Sequence, residues 1–147
     1  MIKMAWDPSL SIGIEPIDSQ HQRIVAYINE LSAAHDVKDR DRVSVVISEL
    51  VDYTKTHFCF EEQLMEASGY PLSEAHKKVH ESFVLRLSSL TERHQNGEDV
   101  TRKLMSELQI WLTNHIKRED NDYAPFAENQ LNGKQGWVKR MTRKLFG

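Results

Sequence analysis

Apolar residues recur along most of this chain at steps of three and four, the period of a helix with one buried face. The exception is the start. There Leu10, Ile12 and Ile14 alternate, and Trp6, Pro8 and Gly13 interrupt any helix, so residues 1–15 are expected to form an extended arm laid over the body. Pro16 is tolerated only in a first helical turn and Asp18 favours an N-terminus, which starts the first helix near residues 16–18. Its stripe is Ile17, Ile24, Ile28 and Leu31, with His21 in the missing step. A second helix is expected from near Asp41, with Val43, Val46, Ile47, Leu50, Tyr53, His57, Glu61 and Leu64 on one side, until Ser68-Gly69-Tyr70-Pro71 breaks it. A third carries Leu72, His76, Val79, His80, Phe83, Leu87 and Leu90 and stops at Gln95-Asn96-Gly97. A fourth, capped by Asp99, aligns Val100, Leu104, Leu108, Trp111, Leu112 and His115.

Four amphipathic helices with short links predict an all-α protein: an antiparallel up-down-up-down four-helix bundle with an extended N-terminal arm and a short C-terminal helix. No strand, internal repeat or low-complexity segment is visible in the sequence. A turn at Asn132-Gly133 detaches the final helix, residues 136–146, and divides the chain into a bundle with its arm, 1–133, and a basic amphipathic tail, 134–147. Because neighbouring helices run in opposite directions, residues early on the first and third helices share an end with residues late on the second and fourth. His21, His57, His76, His80 and His115 are all expected at that one end.

The 147 residues, 39% hydrophobic and 28% charged, fit one soluble globular domain. No apolar run is long enough to span a bilayer and the N-terminus lacks a signal-peptide pattern, so a cytoplasmic monomer is expected. The lone cysteine, Cys59, cannot form an internal disulfide; two residues past His57, it is expected on the far side of its helix as a small buried apolar residue. Within the net charge of −3, the tail holds Lys134, Lys139, Arg140, Arg143 and Lys144 without an acid, so the body is more acidic than the whole. An acidic body argues against general nucleic-acid binding, while the tail suits a local anionic partner.

Five of the seven histidines lie where core residues belong, together with Glu61 and an acid near residue 120. His57 with Glu61 and His76 with His80 are spaced i, i+4, which stacks each pair on one helical face roughly 40° apart. A carboxylate on such a stripe is costly to bury unless paired or metal-bound, and five imidazoles converging on one end read as ligands rather than as core. They exceed the four ligands of a tetrahedral zinc, so a dinuclear site bridged by carboxylates fits better. Imidazole suits iron, copper, nickel and zinc alike. Spacing leaves the last acid open: Glu119 at i+4 from His115 has regular geometry, whereas Asp120 at i+5 falls about 140° away on an ideal helix. His35 and His94 lie near helix ends away from the cluster and read as surface or end-of-helix residues, with His94 favourably placed for the helix dipole.

The pieces Asp18-Ser19-Gln20-His21, HFCFEE from His57 to Glu62, HKKVH from His76 to His80 and WLTNHIKRED from Trp111 to Asp120 resemble the hemerythrin family, specifically its single-domain bacterial members, over residues 6 to about 126. The resemblance implies two iron ions in a non-haem, oxo- or hydroxo-bridged centre. His76, His80 and His115 would hold one iron, His21 and His57 the other, and Glu61 and Asp120 would bridge them. It nominates Asp120 over Glu119, which requires the helix to widen into a π-type turn between residues 115 and 120. It also implies that O2 binds at the iron with two histidines, and that Phe58, Trp111, Leu112 and Ile116 form an apolar pocket wall. The function implied is reversible O2 binding, for storage, transport or delivery to an oxygen-consuming enzyme, with no enzymatic activity of its own. The alternatives are an O2 or redox sensor, and a di-iron enzyme acting on peroxide or nitric oxide. For the tail, a helix packed back on the bundle stands beside docking to a membrane surface or an acidic protein through residues 134–147.

Overall fold

The structure, a computed structural model, describes residues 4–133 and 135–147. Residues 1–3 of the expected arm and Lys134 of the tail lie outside the described residues, as do the side chains of residues 129–135. Among the described residues six α-helices follow one another: α1 (Glu15–Asp36), α2 (Arg40–Ala67), α3 (Ser73–Gln95), α4 (Thr101–His115), α5 (Asn121–Gly133) and α6 (Gln135–Phe146). A π-helical segment, Ile116–Asp120, joins α4 to α5 without a break. Helix α1 packs against α2 and α4, and α3 against α2 and α4, which closes α1–α4 into the expected four-helix ring.

The starts and stops have local causes. Asp39 caps α2, its carboxylate accepting from the Arg42 N–H at 3.0 Å. Gly69 and Gly97, at φ +69° and +96°, supply the left-handed residues that turn the chain after α2 and α3. Asp99 does not cap α4 as expected: the N-cap is Val100, without a side-chain bond, and Asp99 reaches the Thr101 N–H at 3.3 Å. Between the helices the core is aliphatic, with Ile17, Ile28, Leu31, Val46, Leu50, Leu64, Leu87, Leu90 and Leu104 fully buried. Tyr53 and Val79 are only half-buried, and Leu72, read as part of the inner stripe, is exposed because α3 begins one residue after it.

The arm crosses the bundle with Leu10, Ile12 and Ile14 inward and Ser11 and Gly13 outward, as their alternation predicts. A short 3-10 turn, Pro8–Leu10, interrupts it and lies against the π segment. Two contacts pin it to α1: Asn29 exchanges a pair of hydrogen bonds with the Met4 backbone at 2.8 and 2.9 Å, and Asp18 accepts from the Ile12 N–H and the Ser11 hydroxyl at 2.9 and 2.6 Å. At the other terminus α6 packs on α2. Met141 is buried, Trp137 meets Phe60 edge-on, and Phe146 lies against both Phe60 and Tyr53.

Candidate metal centre

All seven residues singled out in the sequence meet at one end of the bundle. His21 stands in the second turn of α1, His57 and Glu61 late on α2, His76 and His80 early on α3, His115 at the end of α4 and Asp120 at the end of the π segment. All are buried. Their donor atoms form two groups, His76, His80, His115 and Asp120 in one and His21, His57 and Glu61 in the other, each with its atoms within 4.8 Å of one another. Asp120 faces both: Oδ1 lies 3.1 Å from His115 Nε2 and 3.2 Å from His76 Nε2, and Oδ2 lies 3.2 Å from His21 Nε2. Glu61 Oε1 is 2.6 Å from His57 Nε2 and 3.8 Å from His80 Nε2.

The π segment is what brings Asp120 in. With i to i+5 bonding, five residues complete the turn, so Asp120 comes back over His115 instead of lying about 140° away. Glu119 sits outside the cluster, half-buried, with Oε2 3.2 Å from the outer nitrogen, Nδ1, of His115.

The outer nitrogens of two other histidines have hydrogen-bond partners. His57 Nδ1 pairs with Gln20 Oε1 at 2.7 Å and His80 Nδ1 with Glu62 Oε2 at 3.0 Å. A partner on one ring nitrogen fixes the tautomer and turns the other nitrogen inward as a lone pair. Tyr123, on the first turn of α5, donates its hydroxyl to Glu61 Oε2 at 2.6 Å. Gln20, Glu62 and Tyr123 were not picked out from the sequence. The first two adjoin a residue of the cluster in the chain, and that adjacency was the available signal.

Electrostatics divide the labour. Burial and the neighbouring Asp120 push the Glu61 carboxyl up, but the His57 and His80 rings outweigh them and hold it down, to about 2. Asp120 is likewise raised by burial and pulled well below the usual carboxylate range by His115, His21 and His76. Burial holds the His57 imidazole below its ordinary value against the pull of Glu61, whereas for His115 the carboxylates, Asp120 foremost, overcome burial and raise it. Burial, then the charges of Glu61 and Asp120, keep Tyr123 protonated.

These residues suit a bound cation. Both nitrogens of His21, His57 Nε2, Glu61 Oε1 and both Asp120 oxygens are fully buried, and although they crowd together none is oriented to complete a hydrogen bond. His76 Nε2 and His80 Nε2 both point at His115 Nε2, at 3.2 and 3.1 Å, an arrangement in which three lone pairs share one point. Cations between two carboxylates and five imidazoles would satisfy the carboxylate oxygens and the inward ring nitrogens.

Aromatic rings line the outside. Phe58 stacks on His80 with centroids 3.9 Å apart and planes 7° apart; Trp111 stacks on His115 at 4.3 Å and on Phe83 at 3.8 Å. Leu112 and Ile116 are buried on either side of His115 in the chain. A groove of about 450 Å³ between α2 and α3 ends on Phe58 and His80, and another of about 390 Å³ between α3 and α4 ends on Trp111 and His115. Cys59 lines the first groove, half-buried and 3.3 Å from Gln63 Nε2, rather than buried as expected: two residues past His57 the helix turns it toward the outer seam, not into the core.

The two remaining histidines stand apart from the cluster. His35, half-buried, pairs with Asp99 at 3.2 Å. His94 is buried rather than at the surface, its Nε2 2.8 Å from Ser44 Oγ and its carbonyl accepting from the Arg40 guanidinium. Burial, then Arg40, holds its pKa down, which removes the cationic interaction with the helix dipole expected for it.

Fold and site together define a metal-binding helical bundle with histidine-rich ligation. Residues 12–127 match the family model described as the hemerythrin HHE cation binding domain. Two relatives called bacteriohemerythrin, from Stenotrophomonas maltophilia (strain R551-3) and Pseudomonas aeruginosa (strain LESB58), are each 42% identical over 153 aligned positions, covering all of both chains. A crystal structure of wild-type hemerythrin superposes with a TM-score of 0.80 at 28% identity, covering 84% of this chain and 97% of that one. The chain belongs to the hemerythrin family. Hemerythrins bind O2 at non-haem iron rather than catalysing a reaction, and O2 binding is the function of this chain.

Proposed function

We propose that the chain binds O2 reversibly at a pair of iron ions and stores it, carries it or hands it to an oxygen-consuming enzyme. The observation that carries this reading is Asp120, whose two oxygens face the two ligand groups inside a fully buried site. His76, His80 and His115 would hold one iron, His21 and His57 the other, with Glu61 and Asp120 between them. Iron held there would supply the electrons that O2 takes up on binding. The chain does the rest. Ionised Glu61 and Asp120 would offset part of the metal charge, and Gln20 and Glu62 hold the His57 and His80 imidazoles in register. Phe58, Trp111, Leu112 and Ile116 form the apolar wall that keeps water and protons from the site, which makes release of intact O2 competitive with irreversible oxidation.

Metal content and the visible spectrum test this, recorded in air, after anaerobic reduction and after readmission of O2. The expected result is two irons per chain and a charge-transfer band lost on reduction, restored by O2 and removed again by flushing. Irons that oxidise without a stable O2 adduct would favour a redox sensor or an enzyme, and zinc or a single metal per chain would refute the assignment.

We also propose that α6 docks on an anionic surface. Lys139, Arg140, Arg143 and Lys144 are exposed while Met141, Trp137 and Phe146 are engaged with the bundle, so the contact would be electrostatic rather than inserted. Among the described residues no helix is long and apolar enough to cross a membrane. Salt-sensitive cosedimentation with phosphatidylserine vesicles, lost on removing residues 134–147, is the expected result; no binding by the full chain would end the idea.

A further inference from the structure

Tyr123 is the most deeply placed polar residue beside the cluster that is not itself a candidate ligand. It is fully buried, donates to Glu61 Oε2 at 2.6 Å, and its ring lies edge-on to His76 with centroids 5.5 Å apart. Tyr70 packs against its outer side with centroids 6.2 Å apart. Shape alone would be met by phenylalanine, so the hydroxyl needs its own reason.

A carboxylate oxygen has two lone pairs and can ligate with one while accepting a hydrogen bond with the other. A donor so placed draws electron density from the carboxylate and weakens it as a ligand, and a weaker anionic ligand favours the metal state of lower charge. In a buried site the effect is enlarged, because no water competes for the oxygen. His57 Nε2, the nearest nitrogen to Glu61, lies on Oε1, so Tyr123 is the sole hydrogen-bond partner recorded for Oε2 among the described residues.

We propose that Tyr123 is a positioning residue that sets the reduction potential of the centre, holding it toward the ferrous state through Glu61. The inference rests on the di-iron reading above and deepens it. It assigns Tyr123 a specific part in reversibility: by keeping the irons ferrous it slows their spontaneous oxidation in air without touching O2.

Redox titration of iron-loaded Tyr123→Phe against the wild type, with mediators and without O2, is the test. The ring and its packing remain, so the fold is expected to persist. The expected result is a roughly tenfold shift toward ferric iron, about 59 mV lower for a one-electron couple, with spontaneous oxidation in air faster by a similar factor. An unchanged potential with both irons retained would overturn the proposal. Should Tyr123→Phe lose iron, 3-fluorotyrosine at position 123, a more acidic and stronger donor, decides it. A potential raised above the wild type supports the role, and one that does not move rejects it. Wild-type protein that binds no iron pair would refute the di-iron reading, and this proposal with it, before any variant is made.

Discussion

Gln20 shows how little chain is needed to fix a buried imidazole. It accepts from His57 Nδ1 at 2.7 Å, and this contact decides that Nε2 is the nitrogen facing Glu61. Gln20→Ala leaves the ring free to turn and to change tautomer, and iron affinity is expected to fall about 10- to 100-fold, measured by competition with a chelator while circular dichroism stays helical. At the opposite end of α3, His94 makes a pH prediction. Its pKa is lowered in the fold, so the unfolded chain takes up more protons; its contribution to stability is full above about pH 6.5 and is lost as pH falls toward the folded value. Denaturation midpoints of His94→Gln are therefore expected to change less with acidification below that pH than those of the wild type. The five clustered histidines were legible because each replaces an apolar residue on a stripe. Gln20 and Glu62 were not, since a polar residue next to a stripe reads the same whether it faces water or a ring nitrogen.

At the scale of the element, the π segment settles both what the sequence could reveal and what it hid. A regular helix continued from His115 puts Tyr123 about 80° around the axis from it, on no stripe. One extra residue in the turn returns it to within about 20°, where it meets Glu61. The widened turn itself was legible only because the family resemblance required Asp120 where spacing favoured Glu119. Removing exposed Lys117 shortens the turn to four residues, which restores α-helical bonding and leaves the acid now at position 120 at i+4 from His115. This deletion is expected to retain metal binding, whereas deleting a residue between Glu61 and His57 would abolish it; iron content of the two purified proteins is the measurement. The arm and α6 were legible in outline from alternation and amphipathicity. The 3-10 turn at Pro8–Leu10 and the aromatic seat of α6 on Phe60 and Tyr53 were not, because both depend on which surface they meet.

For the whole molecule the site is a trade between stability and ligation. An aliphatic core along the middle of the bundle holds a polar end in which Glu61 Oε1, both Asp120 oxygens and several imidazole nitrogens lack hydrogen-bond partners. Such atoms are expensive to bury unless a cation satisfies them. Iron removal is therefore expected to lower the unfolding temperature. Metal at a hundred times its dissociation constant adds about 2.7 kcal/mol, and thermal scans of chelated and reloaded protein check the difference. The bundle itself was predictable because its four stripes and short links allow few arrangements.

The three tryptophans fall in three different parts of the molecule: Trp6 in the arm, Trp111 face to face with His115, and Trp137 against Phe60 under α6. Each therefore gives its own fluorescence signal. A chain keeping only Trp111 would report the state of the centre through quenching, while one keeping only Trp137 would report release of the C-terminal helix, so the two events could be timed separately, one variant for each, without any added dye.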